Sequence, residues 1–370
     1  MRPSPQQDAA LKQVADWLKR PDRQVFRLFG YAGTGKTTLA LKIAEAVDGD
    51  VLFAAFTGKA AQVLRNKGCE NARTIHSLIY RPRGETENEE SGEAAPLFSL
   101  NRMSPVAKAS LVIVDECSMV DEELGRDLLS FATPVLVLGD PGQLPPVSGG
   151  GYFTEAEPDV LLTEVHRQAR DNPIIVLAQT VREGGLIDYG SYGDSRVIRR
   201  VEVDSDAVLS ADQVLVGINR TRRRFNGRIR DLRGFEDSLP EAGDKLVCLR
   251  NSTEKGLLNG SLWRVVSRGA GRGQSIQMLV RSEEEAPYGA SAKIRVNKAF
   301  FEAGPDSLSW KQRRGSDEFD FGYALTVHKA QGSQWSDVVL FDESFAFRDA
   351  PARWLYTAIT RAAERITIVR

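Results

Sequence analysis

The chain has 370 residues, 42% hydrophobic and 27% charged, enough to bury a sizeable core and to divide into about two or three domains. Its 49 basic and 50 acidic residues leave a net charge of −1, which excludes a uniformly basic nucleic-acid binder, and no run approaches the ~18 apolar residues of a membrane span. Cys69, Cys117 and Cys248 lie far apart with no Cys/His clustering, so neither a disulfide frame nor a zinc site is supported, and with no apolar signal region in MRPSPQQDAALKQ the expected localisation is cytoplasmic.

In chain order, the first strong signal is VFRLF, Val25 to Phe29, a buried strand that feeds Gly30-Tyr31-Ala32-Gly33-Thr34-Gly35-Lys36-Thr37. The pattern G-x-x-x-x-G-K-T lets backbone N–H groups of the loop crowd around phosphate oxygens. Lys36 would serve the β and γ phosphates and the Thr37 hydroxyl a magnesium ion. A helix predicted from Thr37 to Ala46 aims its N-terminal dipole at the same place. Gly33, Thr34, Gly35, Lys36, Thr37 and Thr38 are therefore the candidate nucleotide contacts.

Val51 to Ala55 then reads as a strand and Gly58 to Asn66 as a helix. Residues 81 to 103 are polar, acidic and bounded by Pro and Gly, which predicts an inserted loop or hairpin. Leu111 to Val114 is an apolar strand that ends on Asp115 and Glu116. That is the place for an Asp that holds magnesium and a Glu that activates water; the alternative use of two carboxylates there is to cap the helix predicted from Asp121 to Phe131. The strand Val135 to Leu138 delivers a Gly/Pro-fixed loop with Gln143, whose amide can donate to a phosphate and accept from water, unless the loop is only a tight turn.

A second round follows: a helix from Asn172 to Glu183, a strand from Val214 to Ile218, an arginine-rich helix, a strand from Val338 to Phe341, a helix from Arg353 to Thr360 and a last strand from Ile366 to Val369. The seven arginines from Arg220 to Arg233 fit either the solvated face of that helix or a basic patch. Residues 243 to 320 break the rhythm with short alternating strands (KLVCLR, SLWRVV, SIQMLV, AKIRVN) and turn signals, which predicts a small antiparallel β-barrel inserted into the second domain. The fold class is α/β, with two parallel sheets covered by helices.

The ordered motifs closely resemble those of superfamily 1 helicases, in particular the RecD/Dda-like branch of superfamily 1B. The match runs from Gln7 in SPQQDAA through the glycine loop, Thr57-Gly58-Lys59-Ala60-Ala61, Thr74-Ile75-His76-Ser77-Leu78 and Asp115-Glu116 with Ser118-Met119. It continues through Gly139 to Pro146, LTEVHRQ at 162–168, ALTVHKAQGS at 324–333 and YTAITRA at 356–362. The resemblance implies two RecA-like domains: 1A over residues 1–80 and 104–165, and 2A over 166–242 and 321–370. It also implies a pin, 1B, at 81–103 and an SH3-like barrel, 2B, at 243–320.

It further implies an ATP-dependent DNA helicase or translocase that moves 5′-to-3′ on single-stranded DNA, with ATP and Mg²⁺ as cofactors. Gln7 would read adenine. Lys36, Glu116, Gln143, Arg167 and Arg361 would be catalytic, the two arginines reaching the γ-phosphate from the second domain. Thr37 and Asp115 would hold the metal. Thr57, Lys59, His76, Thr326, His328 and Ser333 would contact the strand. The implied partners are single-stranded DNA and duplex junctions, with a single-strand binding protein or recombination and replication proteins beside them; no membrane partner is expected and a monomer is. Within residues 81–103 the only aromatic is Phe98, which motivates an alternative, an ATP-gated single-strand remodeller without productive unwinding. A motor subunit of a helicase–nuclease complex is the other alternative.

Overall fold

Apolar strands such as Val25–Gly30 and Val135–Gly139 have no solvent-facing side, and only a sheet covered on both faces buries them fully. The computed structural model of the chain describes residues 3–20, 22–88, 93–145, 151–165, 171–252, 255–269, 271, 273–283, 291–304, 308–313 and 315–370. Its first unit opens with helix α1 (Pro5–Lys19) and continues β1 (Val25–Gly30), α2 (Lys36–Glu45), β2 (Val51–Ala55), α3 (Gly58–Asn66), β3 (Arg73–Thr74) and α4 (Ile75–Ile79). A hairpin of β4 (Tyr80–Asn88) and β5 (Glu93–Leu100) follows, then β6 (Leu111–Asp115), α5 (Glu122–Leu129), β7 (Val135–Gly139) and β8 (Val160–Leu162).

Six strands form one parallel sheet in the order β3-β2-β6-β7-β1-β8, with Phe29 level with Gly139 and Ala55 level with Asp115. Alternate side chains serve opposite cores. Leu28, Leu136 and Ile113 pack with Val14, Trp17, Leu39 and Leu64 on one face, and Phe29, Val112 and Val137 with Ile75, Leu78 and Leu128 on the other. Because the strands are parallel, the segments after β1, β2, β6 and β7 all emerge at one edge of the sheet. The glycine loop, Thr57, Asp115–Glu116 and the loop of Gln143 are thereby gathered from four separate stretches of sequence.

The second unit comprises α6 (Pro173–Arg182), β9 (Gly190–Tyr192), β10 (Ser195–Ile198), α7 (Ser205–Ser210), β11 (Gln213–Val216) and α8 (Asn219–Leu232). After them come β12 (Lys245–Cys248), β13 (Leu262–Arg268), β14 (Ser275–Ser282), β15 (Ser291–Asn297), α9 (Ala299–Glu302), α10 (Trp310–Arg313) and β16 (Phe319–Phe321). The chain closes with β17 (Ala324–Thr326), β18 (Trp335–Phe341), α11 (Pro351–Ile359) and β19 (Ala362–Val369). The second sheet runs β17-β11-β18-β19-β10-β9, parallel except for the edge strand β9. Helices α6 and α11 cover one face through Leu177, Val181, Trp354 and Ile359, and α8 covers the other through Ile229.

Strands β15-β14-β13-β12-β16 make a separate antiparallel sheet around Trp263, Val280, Ile294, Phe300 and Phe319. An isolated bridge between Val296 and Asp317, beside a 2.7 Å bond from the Asp317 N–H to the Arg295 carbonyl, brings its two edges together. The sheet extends past the expected boundary at 320, since β16 runs from Phe319 to Phe321.

The arginine run is not simply a solvated face. Arg222 and Arg230 are buried; the first pairs with Asp320 at 2.7 Å and the second grips Asp244 with Nε at 3.0 Å and Nη2 at 3.0 Å, while the Tyr323 hydroxyl donates to Asp244. These arginines are struts that fix α8 to the inserted sheet. Charge in a sequence window shows neither which side of the helix an element folds against nor where the carboxylates are, 98 residues away for Arg222.

Candidate active site

The loop between β1 and α2 turns through left-handed backbone at Gly33 (φ 80°) and Gly35 (φ 79°), which other residues adopt only at a cost, and Gly35 starts α2. The free N–H groups of this ten-residue helix face the loop, which makes it an anion site. Its inner geometry is braced: the Thr34 hydroxyl donates to the Tyr31 carbonyl at 2.8 Å, and Lys36 Nζ donates to the carbonyls of Gly30 at 2.6 Å and Tyr31 at 3.1 Å.

Gln7 braces the loop from behind. Its Nε2 donates to the Thr34 carbonyl at 2.9 Å while its Oε1 accepts from the Ser4 N–H, closing a capping box on α1. Gln7 is buried and is not among the residues that line the cavity described below. Its neighbour Gln6, which the sequence did not single out, accepts from the N–H groups of Thr163 and Glu164 and donates to the Leu161 carbonyl.

At the end of β6, Asp115 accepts from the Glu116 N–H at 2.9 Å, and Glu116 itself adopts φ 52°, a left-handed conformation costly for a residue with a Cβ. These two do not cap α5, whose N-cap is Asp121, accepting from Leu124. Burial pushes the Glu116 carboxyl above its ordinary range; Arg361 and Lys36 pull it back, and Asp115 and Asp140 push it further up. Gln143, from the loop after β7, is buried, and its Oε1 has no hydrogen-bond partner among the described residues. A buried acceptor left open in this way is a docking point for a donor the protein itself does not supply.

Arg361 follows α11 in the second unit and is 5% exposed. It donates from Nε to the Thr357 carbonyl at 3.1 Å, from Nη1 to the Ser333 carbonyl at 3.2 Å and from Nη2 to Thr360 Oγ1 at 3.2 Å. Lys36, Thr37, Thr38, Asp115, Glu116, Gln143 and Arg361 line one cavity of about 340 Å³ between the two sheets. Arg167 lies outside the described residues.

The residues expected on the nucleic-acid side are more dispersed. Ser333 is buried, lines the nucleotide cavity and accepts from Arg361 Nη1 through its carbonyl. Its motif loops back from β17 to the base of β18, and the sequence does not reveal at which end of the sheet each of its residues lies. Thr57 caps α3 by accepting from the Ala60 N–H at 3.1 Å, and Thr326 is buried, accepting from the Lys329 N–H at 3.4 Å. His76 is exposed, its ring 4.7 Å from that of Tyr80 and 4.4 Å edge-on to that of Phe98 in the hairpin. His328 packs on Phe347 at 5.3 Å. Lys59 lines a second cavity, of about 540 Å³, with Arg233, Lys245 and Trp335.

A family model described as an AAA domain matches residues 2–202, more than half of the chain, and one described as a UvrD-like helicase C-terminal domain matches residues 321–369. The chain belongs to the superfamily 1B helicases of the RecD/Dda/Pif1-like kind. The ATP-dependent RecD2 DNA helicase of Deinococcus radiodurans is 30% identical to this superfamily 1B chain over 376 residues, covering 91% of this chain and 46% of the relative. The ATP-dependent DNA helicase dda of Enterobacteria phage T4 is 35% identical over 170 residues, 42% of this chain and 37% of the relative. The chain thus spans less than half the length of either. A Pif1 helicase from Bacteroides, solved in complex with ADP-AlF3 and ssDNA, superposes with a TM-score of 0.58 at 18% identity, covering 99% of this chain and 92% of that one. That likeness establishes the fold, two RecA-like domains, each with a largely parallel sheet.

Proposed function

We propose that the chain hydrolyses ATP in the cleft between its two RecA-like sheets and couples each turnover to 5′-to-3′ movement along single-stranded DNA, opening duplexes it meets. One observation carries this reading. The open buried oxygen of Gln143, the carboxyl of Glu116 and the guanidinium of Arg361 converge on one cavity with the phosphate loop, although Arg361 comes from the other sheet. A site that needs both sheets for completion turns hydrolysis into a reason for the sheets to approach and separate.

The loop amides and the α2 N-terminus fit a polyphosphate, and Thr37 with Asp115 offers two oxygens of the kind magnesium takes when phosphates and water complete its octahedron. A bound magnesium ion would supply charge neutralisation on the phosphate oxygens. Lys36 would release its loop carbonyls and turn its ammonium to the β and γ phosphates. Gln143 would hold the attacking water, Glu116 would take that water's proton as its oxygen bonds to the γ-phosphorus and the bond to the β–γ bridging oxygen breaks to release ADP, and Arg361 would stabilise the charge that gathers on the phosphoryl oxygens. Arg167 is proposed for the same role as Arg361.

Thr57, Lys59, His76, Thr326 and His328 are proposed to line the strand path. The placement of these residues on both units, Thr57 capping α3 of the first and Thr326 ending β17 of the second, supports this. The β4–β5 hairpin is proposed as the pin and the inserted antiparallel sheet as the SH3-like barrel, supported by the meeting of its edges at Val296 and Asp317. The deciding experiment titrates ATPase activity with single-stranded DNA and RNA and then offers duplexes with a 5′ or a 3′ overhang. DNA-stimulated hydrolysis with unwinding from 5′ overhangs is expected; hydrolysis that ignores nucleic acid would overturn the proposal.

A further inference from the structure

Between the two sheets, one hydroxyl group of the second unit bridges two loops of the first. Tyr356 lies near the end of α11, about one and a half turns before Arg361, and it is 1% exposed. Its Oη accepts from the Ala32 N–H in the phosphate loop at 2.9 Å and donates to Asp140 Oδ2, in the loop of Gln143, at 2.7 Å. A phenol has one donor and acceptor capacity to spare, so a single neutral Tyr satisfies an amide of one loop and a carboxylate of the other at once. Burial, together with Asp140, holds the phenol well above its ordinary pKa, so it stays the donor.

The tie extends to the groups proposed for chemistry. Asp140 uses its other oxygen to accept from the Gly142 N–H at 2.9 Å and its carbonyl to accept from the Gln143 N–H at 3.1 Å, which sets the backbone that aims Gln143. Position 142 has no room for a side chain, since a Cβ there would stand 2.9 Å from Tyr356 Cε1. On the helix, the next residue, Thr357, accepts from the Leu144 N–H at 2.9 Å through Oγ1, and its carbonyl holds Arg361 Nε. Gln331 closes the same seam by donating to the Leu144 carbonyl at 3.1 Å. Leu144, carried by the first sheet, is buried in the core of the second.

We propose that Tyr356 is a positioning residue for hydrolysis: its hydroxyl ties the phosphate loop to the Asp140 loop and so keeps Gln143 and Arg361 in register across the cleft. This rests on the proposed ATPase reading, and the tie itself can be read without it. Tyr356→Phe keeps the ring and removes only the hydrogen bonds. Its kcat should fall roughly tenfold, the worth of a hydrogen bond to a charged group, with KM for ATP within about twofold of the parent.

In an Arg361→Ala background the same change should cost less than about twofold, because the register it keeps has lost its object. A structural role would add its full cost in either background. Gly142→Ala, which pushes the ring aside, should reproduce the loss in kcat. Hydrogen exchange at the Ala32 amide gives a readout apart from turnover, and Tyr356→Phe should speed it about tenfold or more. An active parent with Tyr356→Phe unchanged in kcat, or with additive losses, or with Ala32 exchange unaltered, overturns the positioning role alone. A parent without ATPase activity overturns the hydrolysis reading and the role that rests on it.

Discussion

The nucleotide cleft and the candidate strand path are made from different motif loops, and their side chains are used in opposite ways. In the cleft, Glu116, Gln143 and Arg361 line a shared volume, and one buried acceptor there, Gln143 Oε1, has no partner among the described residues. Along the strand path, Thr57 and Thr326 spend their hydroxyls on nearby backbone N–H groups, and His76 and His328 lay their rings on aromatic neighbours. Phosphoryl transfer needs charge placed within tenths of an ångström, so the cleft must hold groups in reserve. A backbone that slides needs a grip that is even and easily released, and loop amides and ring faces provide that without committed side chains.

The contrast breaks most visibly at Arg361. If the cleft works by convergence, Arg361→Ala should lower single-turnover hydrolysis by about 10³ while leaving nucleotide and strand affinity within a few-fold. Full activity would mean that its bonds to Ser333, Thr357 and Thr360 are its whole purpose. Glu116→Gln comes next: the variant should retain ATP and turn over about 10²-fold more slowly.

The pH dependence sharpens that assignment. Since burial raises the Glu116 carboxyl above its ordinary 4.5, hydrolysis should fall off on an acid limb whose midpoint lies above that value. Arg361 holds the carboxyl down, so Arg361→Ala should move the limb further up in pH. Stability follows the same sign. A carboxyl whose folded pKa exceeds its unfolded one costs folding stability progressively as pH rises from the unfolded value to the folded one and in full above it, so Glu116→Gln should melt higher at neutral pH, and the gain should vanish as pH falls below the unfolded value. A Gln variant less stable at neutral pH would remove the buried-base account.

How far the site was legible follows the same division. The loop at 30–37 and Asp115–Glu116 could be read because each is a strand end whose chemistry fits in a few consecutive residues. The parallel sheet then does the gathering that periodicity already implies. Tyr356 sat inside a motif read for its arginine alone; its partners are 216 and 324 residues away, and nothing local in YTAITRA marks a hydroxyl that faces two loops. Arg222 and Arg230 were ambiguous for the same reason, their carboxylates belonging to an inserted sheet. Ser333 lies beyond the turn after Ala330, which carries it to the other end of the sheet from Thr326, beside Arg361, and nothing local in ALTVHKAQGS marks that reversal.

Lys36→Ala should have a smaller effect than the two preceding variants, weakening nucleotide binding about tenfold to thirtyfold, the worth of a charge-assisted bond. Binding measured without hydrolysis checks this, and an unchanged affinity would leave Lys36 only the loop carbonyls it already holds.

The smallest effects lie on the strand path, where magnitude alone does not discriminate but salt dependence does. Each phosphate neutralised by a cation contributes about −0.7 to the slope of log affinity against log salt for single strands. Desolvation lowers the pKa of His328 and, beside the rings of Tyr80 and Phe98, that of the otherwise exposed His76, which favours the uncharged ring at both. His76→Ala and His328→Ala should therefore weaken strand binding only about twofold to fivefold and leave the slope unchanged, because a lost face contact releases no counterion. Lys59→Ala should cost a comparable amount at low salt yet flatten the slope by about 0.7. A histidine variant that flattens the slope would show that the ring is charged where it meets the strand, and with that the division between a cleft of directed charge and a path of neutral contacts would fail at that residue.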